Sequence, residues 1–232
     1  MWAFTFALAG WKAEANWTRS SDAAAALYSA ARAIASAPEP TVVSRWFVNA
    51  EFYRRSNVDL VMLDYRGYGK SSGQIESEAQ LHADVQAVWD SVAARYRGKR
   101  VVVYGRSLGT GLAAALAERI APDLTLLVSP YLSMQALAAQ HYPWVPGALL
   151  RYPLRTDEAI AHIAGPVLLL HGDRDTLIPI EHSLALARLN PHARLVRIEG
   201  AGHGDLQGFE PYLEAVRAAL VSVRTASRTA PS

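Results

Sequence analysis

Three side chains in this sequence have the types and the order to act in series on an acyl group. Ser107 stands in Gly105-Arg106-Ser107-Leu108-Gly109, His203 stands in Gly200-Ala201-Gly202-His203-Gly204-Asp205-Leu206, and between them lies His171-Gly172-Asp173-Arg174-Asp175-Thr176-Leu177-Ile178-Pro179. A serine hydroxyl is a poor nucleophile near neutral pH. It needs a base to take its proton and a carboxylate to hold that base in the right tautomer. The glycines around His203 give its loop the freedom to carry an imidazole over the serine, although a solvent-exposed loop histidine is the plainer reading of the same residues. Two aspartates compete for the carboxylate role. Asp173 follows Gly172 so closely that an Asx-type turn is expected of it, whereas Asp175 is far enough along to project toward the histidine loop, so Asp175 is preferred. Asp64 also closes an apolar run, but Gly67 and Gly69 behind it point to a carboxylate that caps its own loop.

Chemistry of this kind requires elements that deliver the three groups to one place. Residues 100–104 carry three consecutive valines and residues 110–120 are rich in alanine and leucine without proline, so the serine pentapeptide sits where a buried strand turns into a helix. At such a turn the serine backbone is strained and lifts the hydroxyl above the sheet edge, and glycines flank it because a side chain there would strike the neighbouring strand or helix. The alternation extends along the chain. Residues 58–63 read as a buried strand and 64–73 as a glycine-punctuated loop; Leu81, Val85, Val88, Trp89, Val92 and Tyr96 make one face of a helix. Strands are expected at 124–128, 167–170 and 194–198, and helices at 180–189 and 211–223. Short continuous apolar runs alternating with helices imply an α/β fold, a mostly parallel sheet with helices on both faces. The connection 129–165 is the longest between these strands and leaves the sheet where a ligand would sit. It is a candidate small lid, with Tyr131, Tyr142 and Trp144 as substrate-binding candidates; the competing reading is that these aromatics cover core helices.

Composition narrows the classes. A chain of 232 residues that is 51% hydrophobic can bury one full core, and no linker-like stretch interrupts it. The net charge is +2, with the arginines scattered rather than gathered into a face, so no nucleic-acid partner is expected. The absence of cysteine excludes disulfides, thiolate metal sites and a cysteine nucleophile together. The seven histidines make no H-E-x-x-H or similar spacing, and neither metal nor cofactor is expected. No apolar run approaches the ~20 residues needed to span a bilayer, and residues 1–11, though apolar, lack a basic leading region. A cytoplasmic location is the default.

Taken together, residues 64–73 (DYRGYGKSSG), 104–111 (YGRSLGTG), 171–179 (HGDRDTLIP) and 200–206 (GAGHGDL) resemble the alpha/beta-hydrolase superfamily of serine hydrolases, most of all its compact bacterial and depalmitoylase-like branch. The resemblance covers about residues 57–223. It implies Ser107 as nucleophile, His203 as general base, Asp175 as its partner, the Leu108 N–H as one oxyanion donor, and acyl-enzyme hydrolysis of a small-molecule ester, thioester or amide. A catalytically dead ligand-binding fold and, more weakly, a peptidase are the rivals. The departure lies upstream. Such proteins usually place a strand ending in a His-Gly loop 25 to 30 residues before the D-x-R-G motif, and that loop supplies the second oxyanion donor. No His-Gly precedes residue 171 here, and the nearest echo, Trp46-Phe47-Val48-Asn49-Ala50-Glu51, offers only Val48 or Asn49 as a substitute amide. Four of the six tryptophans fall in the first 46 residues, beside an alanine-dominated stretch at 22–37 expected to be helical. The chain is thus expected to divide into an atypical 1–56 with its leading strands reduced, rearranged or out of frame, a hydrolase-like core over 57–224, and a disordered 225–232.

Overall fold

The computed structural model describes residues 6–11 (as backbone), 58–66, 71–141, 143–144 and 150–226. In chain order the elements are β1 (Phe6–Trp11), β2 (Val58–Leu63), α1 (Glu78–Ala93), β3 (Val101–Arg106), α2 (Gly109–Ile120), β4 (Leu124–Val128), α3 (Met134–His141), α4 (Thr156–His162), β5 (Val167–Gly172), α5 (Glu181–Leu189), β6 (Ala193–Ile198) and α6 (Glu210–Thr225). The six strands form one sheet in the order β2-β1-β3-β4-β5-β6. From β3 to β6 every pairing is parallel, whereas β1 runs antiparallel to both β2 and β3.

The apolar runs read as buried strands because they are buried on both faces, one face at a time. Val103, Leu127 and Leu169 point into a core shared with α1, α2 and α4 (Leu81, Val85, Leu112, Leu116, Ile160). Their neighbours Val102, Tyr104, Leu126, Val128, Leu168 and Leu170 point to the opposite core under α6, against Tyr212, Val216 and Leu220. This period of two, with helices on either side, is what a parallel sheet requires. α1 begins at Ser77, whose hydroxyl accepts from the Gln80 N–H at 3.1 Å while the Gln80 side chain accepts from the Glu76 N–H, satisfying two amides that the first turn cannot pair.

Two expectations about outlying segments meet the structure differently. A strand was not expected at residues 6–11; in a short apolar run without turn signals, alternation cannot be told from an apolar leader. The stretch 22–37, expected to be helical, lies outside the described residues. The 129–165 connection is only partly a surface feature. Its later half is core: Leu154, Ile160 and Ile163 are among the most deeply buried side chains, while α3 has no fully buried residue and packs Met134 and Leu137 half-buried against the same core.

Candidate active site

Parallel strands bring their carboxyl ends to one edge of the sheet, and the loops leaving β3, β5 and β6 carry the three residues singled out above. After β3 the chain reverses abruptly into α2, and Ser107 sits at the corner with φ of +52°, in the left-handed region that a residue with a side chain rarely enters. The corner is held from three sides. Ser107 N–H donates to the Val128 carbonyl at 2.9 Å, and the Ser107 carbonyl accepts from the Thr110 N–H (2.9 Å) and hydroxyl (2.7 Å). Gly105 is required by close approach: a Cβ there would lie 2.5 Å from the Ala113 Cβ and 2.7 Å from the Gly109 carbonyl. Leu108, half-buried, follows the serine as the residue that leads into α2.

The structure brings His203 and Asp175 to Ser107. His203 Nε2 lies 3.0 Å from Ser107 Oγ, and His203 Nδ1 donates to Asp175 Oδ2 at 2.7 Å. A carboxylate only accepts, so the proton of the neutral ring is on Nδ1 and Nε2 is left to receive the serine proton. The other carboxylate oxygen, Oδ1, accepts from the Leu177 N–H (3.0 Å) and the Ile178 N–H (2.8 Å). Burial works to raise the Asp175 carboxyl, but hydrogen bonds from His171, His203 and the Ile178 N–H outweigh it and hold the group well below the ordinary carboxylate range.

The Asx-type turn assigned by sequence to Asp173 is therefore made by Asp175, which uses one oxygen for the turn and the other for His203. Asp173 points the other way. Its Oδ1 accepts from the Gly200 N–H at 2.8 Å and its Oδ2 from Arg197 at 2.8 Å, so it fastens the start of the histidine loop. Around it the two loops touch backbone to backbone: Arg174 N–H donates to the Ala201 carbonyl at 2.9 Å, and a Cβ on Gly172 would come within 2.2 Å of that same carbonyl oxygen.

Of the substrate-binding candidates, Tyr131 is corrected. It is fully buried, and its hydroxyl donates to the Leu108 carbonyl at 2.9 Å from behind the elbow, so it supports the corner and walls no pocket. Burial also pushes its phenol far above the ordinary tyrosine range. Trp144 is 74% exposed, and Tyr142, Val48 and Asn49 lie outside the described residues. Asp64 gives its main-chain carbonyl to the Ser71 hydroxyl at 2.6 Å; its glycine loop at 67–70 is not described.

Three neighbours of the site escaped the sequence reading. His171 is fully buried; its Nε2 donates to the Ile178 carbonyl at 2.7 Å and lies 3.5 Å from Asp175 Oδ2, while its Nδ1 accepts from the Ser183 hydroxyl at 2.6 Å. His182 accepts the Leu132 N–H on Nδ1 (3.1 Å) and donates from Nε2 to Gln140 (2.9 Å), tying α5 to α3. Arg106, 3% exposed, donates from Nη2 to the His203 carbonyl at 2.8 Å. A usable signal existed for the last: a guanidinium inside an otherwise apolar strand end must find a partner. Among the described residues no group of three or more His, Cys, Asp or Glu is placed to hold a metal, and no helix is long and apolar enough to cross a membrane.

Comparison with known proteins is consistent in kind. The serine aminopeptidase, S33, family matches residues 49–156 and the alpha/beta hydrolase fold family matches residues 135–206. Alpha/beta hydrolase domain-containing protein 17B of Xenopus laevis is 35% identical over 166 residues, 70% of this chain and 56% of that protein; the human protein of the same name is 34% identical over the same share of each. The matched part thus spans little more than half the length of these curated relatives. Among solved structures, an esterase of Pyrococcus furiosus superposes with a TM-score of 0.60 at 22% identity over 75% of this chain and 74% of that one. A meta-cleavage product hydrolase of Pseudomonas fluorescens superposes with a TM-score of 0.59 at 16% identity over 77% and 85%.

Proposed function

Since the chain belongs to the alpha/beta-hydrolase superfamily, we propose that it is a serine hydrolase that cleaves carboxylic esters or thioesters of small acyl substrates through an acyl-enzyme, with Ser107, His203 and Asp175 as its triad. The observation that carries the reading is the unbroken relay Ser107 Oγ to His203 Nε2, His203 Nδ1 to Asp175 Oδ2, at 3.0 and 2.7 Å. Ser107 Oγ attacks the acyl carbon as Nε2 takes its proton. The Leu108 N–H faces the oxyanion, and Asp175 stabilises the imidazolium that forms. Collapse of the tetrahedral adduct expels the alcohol or thiol, which leaves with the proton from Nε2. Water then repeats the sequence on the acyl-serine, with Nε2 as its base. A neutral imidazole is needed at the start.

A fluorophosphonate probe should label the wild-type chain at Ser107 and leave Ser107→Ala unlabelled. Absence of labelling on folded wild-type protein refutes the reading. One observation favours a second: β1 enters the sheet antiparallel and presents its amino end, not a carboxyl end, at the edge where Ser107 stands. On that reading the fold binds a ligand or partner and turns over little. Hydrolysis of p-nitrophenyl esters that depends on His203 separates the two, and aminoacyl p-nitroanilides run in parallel report a peptidase.

A further inference from the structure

We infer that Arg106, the residue between Gly105 and Ser107 in the serine turn, is a positioning residue for the general base. This rests on the hydrolase reading above and concerns how its triad is kept in register. Ser107 and His203 come from strands that are not neighbours: β4 and β5 lie between β3 and β6 in the sheet. Hydrogen bonds tie the histidine loop to its own turn and to the end of β5. Arg174 N–H binds the Ala201 carbonyl, Asp173 binds the Gly200 N–H, and the Asp205 carboxylate accepts from the Gly202 N–H at 2.7 Å. These fix where the loop begins, and the Asp175 carboxylate takes the His203 ring at Nδ1, 2.7 Å away.

Arg106 adds a tie from the strand of the nucleophile to the main chain of His203. It is the residue directly before the nucleophile, it is 3% exposed, and its Nη2 donates to the carbonyl of His203 itself at 2.8 Å. The main chain of the base is thereby tied, by a charge-assisted bond, to the backbone that carries the nucleophile. Any shift of β3 against β6 moves both partners of the 3.0 Å contact between Nε2 and Oγ together. A guanidinium suits the task because its planar donors are fixed in direction and it stays charged when buried. The bond engages the main chain, so it leaves both imidazole nitrogens for Ser107 and Asp175.

The test uses Arg106→Met, which keeps length and apolar stem without a donor, and Arg106→Gln, which keeps one amide donor. Both are measured against p-nitrophenyl esters after thermal melts establish folding. Arg106→Met should lower kcat by about 10- to 100-fold, the range expected of a misplacement near 1 Å, with KM within about twofold because substrate contacts are untouched. Arg106→Gln should recover part of the loss; if the Met variant fails to fold, the Gln variant alone should show a smaller fall in kcat at unchanged KM. The downfield proton resonance of His203 Nδ1–H, bonded to Asp175, reads the geometry without turnover and should shift or broaden in either variant. A folded variant with wild-type kcat and an unmoved resonance overturns the inference. So does a fall in kcat matched by a rise in KM with the resonance unmoved, which would mark a general loosening of the pocket. If the wild type neither labels nor turns over, the hydrolase reading fails by itself, and the resonance in Arg106→Met still decides whether Arg106 holds His203.

Discussion

Replacing Asp175 by Asn should silence the triad through a tautomer that the turn itself enforces. Asp175 Oδ1 accepts two amides, from Leu177 at 3.0 Å and Ile178 at 2.8 Å, and Oδ2 accepts from His203 Nδ1 at 2.7 Å. An Asn side chain has one oxygen and one NH2. If its oxygen took the His203 position, the NH2 would face two N–H donors and leave both unpaired in a buried loop, a penalty of roughly 1 to 3 kcal/mol for each. The oxygen therefore stays in the turn and the NH2 faces His203 Nδ1, which can pair only as an acceptor. The ring proton moves to Nε2, where the serine proton should go. The expected loss is about four orders of magnitude in kcat, or ~5.5 kcal/mol of transition-state stabilisation, by analogy with serine proteases that carry the same change. Asp173→Asn keeps an oxygen for the Gly200 N–H and weakens only an exposed ion pair with Arg197, so kcat should stay within about tenfold of wild type. Initial rates with a p-nitrophenyl ester, on variants checked by melting, give the comparison. The tautomer argument fails if Asp175→Asn keeps kcat within tenfold of wild type, and the opposite ranking of the two variants transfers the partner role to Asp173.

Gly172→Ala would place a Cβ 2.2 Å from the Ala201 carbonyl, where backbone meets backbone and neither side can swing away. A destabilisation of about 3 kcal/mol, a Tm drop on the order of 6 to 12 °C and a lower kcat are expected together; a variant that melts with wild type shows that the loops can part. Burial first, and the nearby His171 second, lower the His182 imidazole below the ordinary histidine range. The unfolded chain then binds the more protons as pH falls through about 6.5, so stability is full above that value and declines below it. Urea midpoints at pH 7.5 and 5.5 should show this decline and a smaller one in His182→Gln; equal slopes would remove His182 as its source.

The sheet and the chain order of Ser107, Asp175 and His203 at its carboxyl edge could be read in the sequence because both rest on short-range patterns. Leu124–Val128 is a strand with the bounds its apolar run indicates, and Val58–Leu63 likewise, since apolar runs between turn residues have one compact solution when helices flank them. The serine corner was legible for a similar reason: Gly105 has no room for a Cβ. Roles set by a second loop were not legible. Asp173 and Asp175 differ by two positions, and which of them made the turn depended on where Gly200 and His203 arrived from β6, a matter of tertiary approach. Tyr131 was misplaced for the same cause, because an aromatic after a strand looks alike whether it faces a pocket or supports the elbow helix from behind. β1 was missed because its partners, Val58–Leu63 and 101–105, lie 50 to 100 residues away, and antiparallel entry leaves no mark in six residues of sequence.

The direction of β1 bears on what the serine can do. An oxyanion donor of the superfamily's kind comes from a loop leaving the carboxyl end of a strand at the edge where the nucleophile stands. β1 presents its amino end there: Phe6 pairs with Leu63 and Gly105, while Trp11 pairs with Val58 at the opposite end of the sheet. Trp11, the last residue of β1, therefore lies at the end of the sheet far from Ser107. A missing donor typically removes about 100- to 1000-fold in kcat, since the developing charge loses a fixed partner where little water can replace it. Phosphonylation by a reactive probe needs the activated serine once. Turnover needs the oxyanion twice, in acylation and again in deacylation, with an ordinary leaving group in the first and water in the second. A one-amide site is thus expected to separate the two measurements, capturing the probe while turning esters over slowly, whereas a completed hole keeps them in step.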